Sequence, residues 1–157
     1  VVAVDRLRRG AEADLVSDYA ENIKRTAKPL GFTNCTITEV EAPKGLTGAV
    51  RQAREGELLA AAIPPGAKRV LLDERGESIS SESFAARIAR WRDNGVGSIA
   101  FLIGGADGHG ESIRASSDFT MSFGAQTWPH LLARAMLCEQ IYRAMTILSG
   151  HPYHRAS

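Results

Sequence analysis

The stretch from Ser98 to Gly110, SIAFLIGGADGHG, constrains the fold more than any other part of this chain. The residues from Ile99 to Ile103 are apolar without polar alternation, which is typical of a strand buried on both faces of a parallel sheet. Gly104 and Gly105 follow directly. Because ligands of open α/β sheets lie beyond the carboxyl ends of strands, the pair predicts a close approach to bare backbone groups. A tight strand-to-helix turn without a ligand is the alternative.

These glycines do not match a phosphate-binding loop. Ile113 stands where a G-x-G-x-x-G fingerprint counted from Gly108 needs glycine, and no Lys-Ser or Lys-Thr pair follows. A cofactor at this edge is therefore not expected to be held chiefly by phosphates.

Length and composition indicate one globular domain over residues 1–157, with 44% hydrophobic and 24% charged residues. No apolar run approaches the roughly 18 residues of a membrane helix, and no signal-peptide pattern is present, so we expect a cytoplasmic protein. The net charge of +1 does not indicate a strongly basic nucleic-acid-binding domain. Cys35 and Cys138 lie far apart and predict buried free thiols, with neither a disulfide nor a zinc site.

Hydrophobic periodicity predicts strands that alternate with helices, an order that favours a mostly parallel α/β sheet with helices on both faces. The predicted strands are Val1–Val4, Thr33–Val40, Arg69–Asp73, Ile99–Ile103 and Asp118–Phe123. The predicted helices run from Ala11 to Ala27, from a cap at Thr47 to Pro64, from the serine-rich entry Ser78–Ser83 to Gly95, from Glu111 to Ser117, and from Pro129 to Gly150. A charged turn is expected at Asp73–Gly76.

Helical spacing also predicts which faces are buried. The first helix presents Leu15, Tyr19 and Ile23; the second presents Val50, Ala53, Leu58 and Ala61; the third presents Phe84, Ile88 and Trp91. The last helix carries two apolar stripes, and this wide face fits either burial within its own domain or contact with a partner subunit. The stripes are Leu131, Ala135, Cys138, Tyr142, Met145 and Leu137, Ile141, Ala144, Leu148.

The C-terminal third carries a family resemblance. FLIGGADG, followed by FGAQTWPHLLARAMLCEQIYRAMTILSGHPYHR, resembles the SPOUT class of RNA methyltransferases, and closely the RlmH family of ribosomal RNA pseudouridine N3-methyltransferases. The likeness takes in RVLLD and spans essentially the whole chain. Its most specific pieces are IGG with a further glycine three residues on, TWPH, YRAM and HPYHR, in this order. The chain departs from the family after the first strand, where DRLRRG replaces a glycine-lysine pattern.

The resemblance implies an S-adenosylmethionine-dependent homodimer with a C-terminal deep trefoil knot, a topology that general folding rules do not suggest. It implies methylation at N3 of a pseudouridine in 23S ribosomal RNA, within the assembled ribosome or the large subunit. It assigns cofactor binding to Leu72, to Gly104 and Gly105, and to the loop of Phe123, Gly124, Ala125, Gln126, Thr127 and Trp128. Backbone loops of this kind suit an adenosyl group.

Methyl transfer to a ring nitrogen requires alignment of donor and acceptor and loss of the nitrogen's proton. The candidate catalytic residues are His130, Arg143, Tyr153, His154 and Arg155. Structural alternatives are packing of His130 at the helix start, pairing of Arg143 with Glu139, and a frayed terminus. His151 and His154 lack further metal ligands, so no metal is expected. The functional alternatives are methylation of another RNA, such as a transfer RNA, and an inactive RNA-binding or ribosome-binding dimer.

Overall fold

Every strand pair in the sheet of this protein is parallel, in a computed structural model that describes residues 1–41 and 43–155. Within those residues the strands follow the order β2-β1-β4-β3-β5. They are β1 (Val2–Val4), β2 (Thr38–Val40), β3 (Lys68–Glu77), β4 (Ile99–Ile103) and β5 (Phe119–Met121). The helices are α1 (Ala11–Ala27), α2 (Gly48–Ala61), α3 (Ser81–Asp93), α4 (Glu111–Ala115) and α5 (His130–Ser149), with a 3-10 turn at Lys28–Leu30. The predicted parallel α/β architecture is confirmed.

The contacts within the chain divide it into two compact units. Unit 1 comprises residues 1–7, 37–78 and 96–130, and it contains the whole sheet with α2 and α4. Its core consists of aliphatic side chains from the strands and these two helices: Val2, Val4, Leu59, Leu71, Ala100, Leu102 and Ile113. Unit 2 comprises residues 8–36, 79–95 and 131 onward, with α1, α3 and nearly all of α5. One domain over residues 1–157 and the knot stay predictions, and Ala42, Ala156 and Ser157 lie outside the described residues.

Three predicted strands are wrong in length, and one of them, Asp118–Phe123, is a strand only at Phe119–Met121. Only Thr38–Val40 of the predicted strand Thr33–Val40 pairs with β1, because β1 itself offers three residues. The charged turn expected at Asp73–Gly76 is instead part of β3, which continues to Glu77. Met121 of β5 pairs with both Leu72 and Glu77, so β3 bulges between these two partners.

The bulge in β3 depends on Gly76. A Cβ at this position would overlap the main chain of Met121, so only glycine lets the two backbones approach so closely. A charged sequence can therefore be a strand here, which the composition of the segment did not indicate.

The predicted buried face of α1 is right at Ile23 and wrong at Leu15, and the helix bounds are confirmed. Leu15 is 43% exposed, whereas Val16, Ala20, Ile23 and Ala27 are buried. The predicted residues are spaced by four, and each such step turns the side chain by about 40° around the helix. The buried residues are spaced by four, three and four, which keeps them on one face.

Helix α2 buries a different face from the predicted one. Val50 is 65% exposed, and Ala53 and Ala61 are exposed as well, whereas Glu55 and Leu59 are almost fully buried. A carboxylate inside the protein is tolerated when a cation neutralises it, and apolar periodicity cannot detect such a residue.

Helices α3 and α5 agree with their predictions in most positions. Ser80 caps α3 by accepting a hydrogen bond from the Ser83 amide over 3.1 Å, and Phe84 and Ile88 are buried. In α5, six of the nine predicted stripe residues are buried, while Leu131, Tyr142 and Leu148 are partly exposed. Cys35 and Cys138 are free thiols, and Cys138 is buried, whereas Cys35 is partly exposed.

Candidate cofactor and catalytic site

The predicted cofactor segments meet at the carboxyl edge of the sheet in unit 1, because parallel strands all end on the same side. Leu72 of β3 pairs with Ile103 of β4, the residue that precedes Gly104 and Gly105. Met121, the last residue of β5, pairs with Leu72 from the other side. The glycine turn and the chain that leaves β5 therefore both begin next to Leu72.

Side chains of the protein itself pack against the glycine pair. A Cβ on Gly105 would lie 2.9 Å from both carboxylate oxygens of Glu55 and 3.1 Å from Cγ1 of Val4. A Cβ on Gly104 would lie 3.1 Å from the carbonyl carbon of Gly108 and 3.2 Å from Nδ1 of His109. The close approach that the sequence predicts is therefore made by Glu55 and Val4 at Gly105, and by Gly108 and His109 at Gly104. The Gly104 amide and the Gly105 carbonyl have partners within the protein, namely Nε2 of His109 at 3.1 Å and the Gly108 amide at 3.0 Å. The assignment of the two glycines to the cofactor stays a prediction.

His109 connects the two predicted cofactor strands and is a residue that the sequence reasoning missed. Its Nε2 lies 3.1 Å from the Gly104 amide and 3.1 Å from the Leu72 carbonyl, at the point where the β3–β4 ladder opens. The ring is 3% exposed, and burial lowers the pKa of His109. Its position five residues after the strand was visible in the sequence, but nothing there indicated an inward-facing ring.

An ion pair fixes the turn behind His109. Asp73 accepts hydrogen bonds from Nε of Arg114 over 2.9 Å and from the Arg75 amide over 3.0 Å. Burial alone would raise the pKa of Asp73, but these two donors outweigh it and hold that pKa below its ordinary value. The carboxylate thus ties β3 to α4, which follows the glycine turn.

The loop from Phe123 to Trp128 leaves β5 next to Leu72 and is mostly exposed. Gly124 adopts a left-handed φ of 100°, and Trp128 Nε1 donates to the Phe123 carbonyl over 3.4 Å. Leu72 and Phe123 are partly buried apolar residues at this edge, and such side chains suit the apolar faces of a neutral heterocycle. The chemistry of this edge is therefore compatible with an adenosyl group.

His130, a predicted catalytic residue at the first position of α5, lies in a charged network of unit 1. Its Nε2 is 3.2 Å from Oδ2 of Asp5, the residue that follows β1. Asp5 Oδ2 is also 3.8 Å from Nη2 of Arg51. Arg51 donates from Nε to Oε1 of buried Glu55 over 2.6 Å, which raises the pKa of Arg51. The sequence reasoning missed Asp5, Arg51 and Glu55 as members of one site.

The other four predicted catalytic residues lie in unit 2, and two of them, Arg143 and Tyr153, contact Glu139. Arg143 makes two hydrogen bonds to Oε1 of Glu139, at 2.6 Å and 2.9 Å, and Tyr153 donates to the same oxygen over 3.0 Å. The Arg143 guanidinium lies 4.9 Å from the centre of the Tyr153 ring. The predicted alternative pairing of Arg143 with Glu139 is therefore confirmed, and it places Tyr153 on the same carboxylate.

The tail after Gly150 makes several contacts with the rest of unit 2. His154 Nε2 is 2.9 Å from Oε1 of Glu82 in α3, and its Nδ1 is 3.5 Å from Nη1 of Arg143. The ring of Tyr153 lies 4.7 Å from that of Tyr142. Burial raises the pKa of Tyr153, and its hydrogen bonds add to this. Arg155 follows as an exposed residue. A frayed terminus does not describe residues 151–154.

Neither a metal-binding cluster nor a membrane-spanning helix is found in the part of the chain that the structure describes. No group of three or more His, Cys, Asp and Glu side chains is arranged to hold a metal ion there. In residues 1–41 and 43–155, no helix is both long and apolar enough to cross a membrane.

Comparison with known proteins gives full-length matches. The model of the family described as predicted SPOUT methyltransferase matches residues 1–154. Three relatives, from Paracoccus denitrificans, Dinoroseobacter shibae and Hyphomonas neptunium, are 52%, 51% and 48% identical to the chain. The alignments cover 97–99% of this chain and 95–97% of the relatives, each of which is named ribosomal RNA large subunit methyltransferase H.

One solved structure also aligns with this chain, the SpoU methyltransferase AviRb from Streptomyces viridochromogenes in complex with AdoMet. The match covers 90% of this chain and 56% of the other, with 17% identity and a TM-score of 0.41.

Proposed function

The chain belongs to the SPOUT methyltransferase family, and from that premise we propose that it methylates large-subunit ribosomal RNA with S-adenosylmethionine as the donor. The acceptor is N3 of a pseudouridine in the 23S RNA. The observation that carries the proposal is the identity of about half of all residues, over nearly the full length, with relatives named ribosomal RNA large subunit methyltransferase H.

The carboxyl edge of the sheet is the proposed cofactor site. When bound, S-adenosylmethionine supplies a methyl group on a sulfonium. A nucleophilic ring nitrogen can attack this methyl carbon in line with the carbon–sulfur bond, and the thioether is the leaving group. Leu72 and Phe123 contribute apolar contact, and the main chain of Gly104, Gly105 and the 123–128 loop contributes hydrogen bonds. His109 supports this site because its Nε2 lies 3.1 Å from both the Gly104 amide and the Leu72 carbonyl, so it accepts from Gly104 in one tautomer and donates to Leu72 in the other.

The tail residues Tyr153, His154 and Arg155, together with Arg143, are proposed to hold the acceptor nucleotide. Arginine binds phosphate through paired N–H donors, and an ordered tyrosine and histidine offer further polar contacts. The contacts of Arg143, Tyr153 and His154 with Glu139 and Glu82 support the proposal, because pre-ordered side chains lose less entropy when they bind RNA.

The assembled ribosome or the large subunit is proposed as the substrate, and a cytoplasmic homodimer with a knotted C-terminal segment as the active form. A net charge of +1 gives the chain little general attraction for phosphates. Specific binding therefore requires a structured ribosomal surface rather than a short naked RNA.

Methyl incorporation from labelled S-adenosylmethionine tests the proposal across four substrates: large subunits, assembled ribosomes, free ribosomal RNA and transfer RNA. We expect label in subunits or ribosomes, and much less in free ribosomal RNA and transfer RNA. Label mainly in transfer RNA would contradict the proposal and favour the alternative target. No transfer to any substrate, together with no cofactor binding in calorimetry, would favour an inactive RNA-binding dimer.

A further inference from the structure

Asp5 adopts a backbone conformation that its side chain disfavours. Its φ is 66°, and among the described residues it is the one non-glycine residue with positive φ. The Asp5 amide donates to the Val40 carbonyl over 2.9 Å, which holds this conformation at the end of the β1–β2 ladder. Unfavourable backbone conformations of this kind persist where the surrounding structure enforces them, and they are concentrated at functional sites.

The strained backbone places the carboxylate of Asp5 against His130. Oδ2 lies 3.2 Å from Nε2 of His130 and 3.8 Å from Nη2 of Arg51. Arg51 has a closer partner in Glu55, at 2.6 Å, and Asp107 adds to the negative charge around Arg51. His130 therefore has the shorter contact with Asp5. Both side chains remain partly exposed, at 36% for Asp5 and 26% for His130, so the pair is accessible from solvent.

We propose that Asp5 is a positioning residue that fixes the tautomer of His130, so that His130 accepts the N3 proton of the bound pseudouridine. A neutral imidazole that donates Nε2–H to a carboxylate has Nδ1 as its acceptor. The inference rests on the proposed function.

The proposed step joins a methyl group to N3 and removes the N3 proton. The N3 lone pair forms a bond to the methyl carbon, the carbon–sulfur bond breaks with its electrons passing to sulfur, and the N3 proton passes to Nδ1 of His130 and then to water. The Asp5 carboxylate stabilises the imidazolium that forms.

His154 is less suited to this role. Its Nδ1 lies 3.5 Å from a guanidinium nitrogen of Arg143, so this ring nitrogen already has a partner within the protein. Its Nε2 lies 2.9 Å from Glu82. These contacts fit a role in holding the acceptor nucleotide.

Asp5→Gly and Asp5→Asn test the proposal, because they separate the carboxylate from the backbone. Glycine accepts a φ of 66° without strain, so Asp5→Gly should unfold at the wild-type temperature or above it. Its kcat for methyl transfer should nevertheless fall by about 10- to 100-fold, the lower part of the range for acid–base catalysis, with an unchanged Kd for S-adenosylmethionine. Asp5→Asn keeps an acceptor oxygen without the charge, and its kcat should lie between those of the wild type and Asp5→Gly. Glu57→Gln, which removes one negative charge at an exposed position of α2, is the charge-matched control.

Two further measurements distinguish positioning from structural support. Nitrogen-15 NMR of labelled histidine should show His130 protonated at Nε2 in the wild type and as mixed tautomers in Asp5→Gly. His130→Ala should lower kcat at least as much as Asp5→Gly, and the double variant should lose no more than His130→Ala alone.

Wild-type kcat in Asp5→Gly, additive losses in the double variant, or an unchanged His130 tautomer would each overturn the inference. If the wild type transferred no methyl group to any ribosomal substrate, the proposed function would fail and the catalytic role with it. The NMR experiment would still show whether Asp5 sets the tautomer of His130.

Discussion

The variant Gly105→Ala tests whether the Cα of Gly105 packs against other residues of the protein or faces a ligand. The new Cβ would lie 2.9 Å from both carboxylate oxygens of Glu55, about 0.5 Å inside the 3.4 Å at which ordinary contact begins. Glu55 is 2% exposed and is bonded to Arg51, so its carboxylate cannot turn away easily. Val4, at 3.1 Å, blocks movement on the other side.

The expected cost of Gly105→Ala follows from two opposing effects. Overpacking a filled site costs about 1–3 kcal/mol, and the less flexible unfolded chain returns roughly 0.4–1 kcal/mol. At the midpoints of these ranges the free energy of unfolding should fall by about 1.3 kcal/mol, and by about 2.6 kcal/mol at most; the midpoint lowers Tm by roughly 3–5 °C for a chain of this size. Urea denaturation and thermal melting measure both quantities. Gly97→Ala is the matched control, because open space surrounds that position, and it should be neutral or slightly stabilising.

A double variant shows whether Glu55 is the cause. In Gly105→Ala/Glu55→Ala the overlapping carboxylate is gone, so the double variant should lose less stability than the sum of its two single variants. If Gly105→Ala matched Gly97→Ala in stability but failed to bind S-adenosylmethionine in calorimetry, the Cα face of Gly105 would belong to the ligand and the packing argument would be refuted.

The remaining predictions concern His109, the tail and the oligomeric state. Burial lowers the pKa of His109 in the folded state, so its contribution to stability is present above pH about 6.5 and is lost as pH falls below that value. The unfolding free energy of His109→Leu should therefore decline less between pH 7 and 5.5 than that of the wild type, and equal declines would contradict this. Truncation after Gly150 should lower methyl transfer by about 100-fold through misplacement of the acceptor, with cofactor affinity nearly unchanged; full turnover would remove the tail from the mechanism. Light scattering at micromolar concentration should give twice the 16.9 kDa of one chain, and a monomer mass would contradict a homodimer.

The sequence predicts the fold well where hydrophobic pattern and glycine agree. The buried strand Ile99–Ile103 and the helix Ala11–Ala27 have their predicted bounds because a continuous apolar run and long helical periodicity are strong signals. The continuation of β3 through Glu77 was missed because Gly76 and its bulge allow a charged segment to pair with Met121. The local composition gives no indication of the pairing between Glu77 and Met121.

The candidate site was predictable in part. Leu72, Gly104 and the start of the 123–128 loop meet at one sheet edge, as parallel topology requires. Glu55, His109 and Asp5 were missed because a buried carboxylate, an inward-facing imidazole and a left-handed aspartate each depend on partners distant in sequence. Hydrophobic periodicity treats all three as surface residues.

The position of the methyl group in the product separates the proposed reaction from its alternatives. Ribosomes treated with the wild-type protein and labelled S-adenosylmethionine can be digested to nucleosides, and the labelled nucleoside identified by mass spectrometry against authentic standards. We expect a single labelled species, N3-methylpseudouridine, from the large-subunit RNA. Label in any other nucleoside, or in the small-subunit RNA, would contradict it.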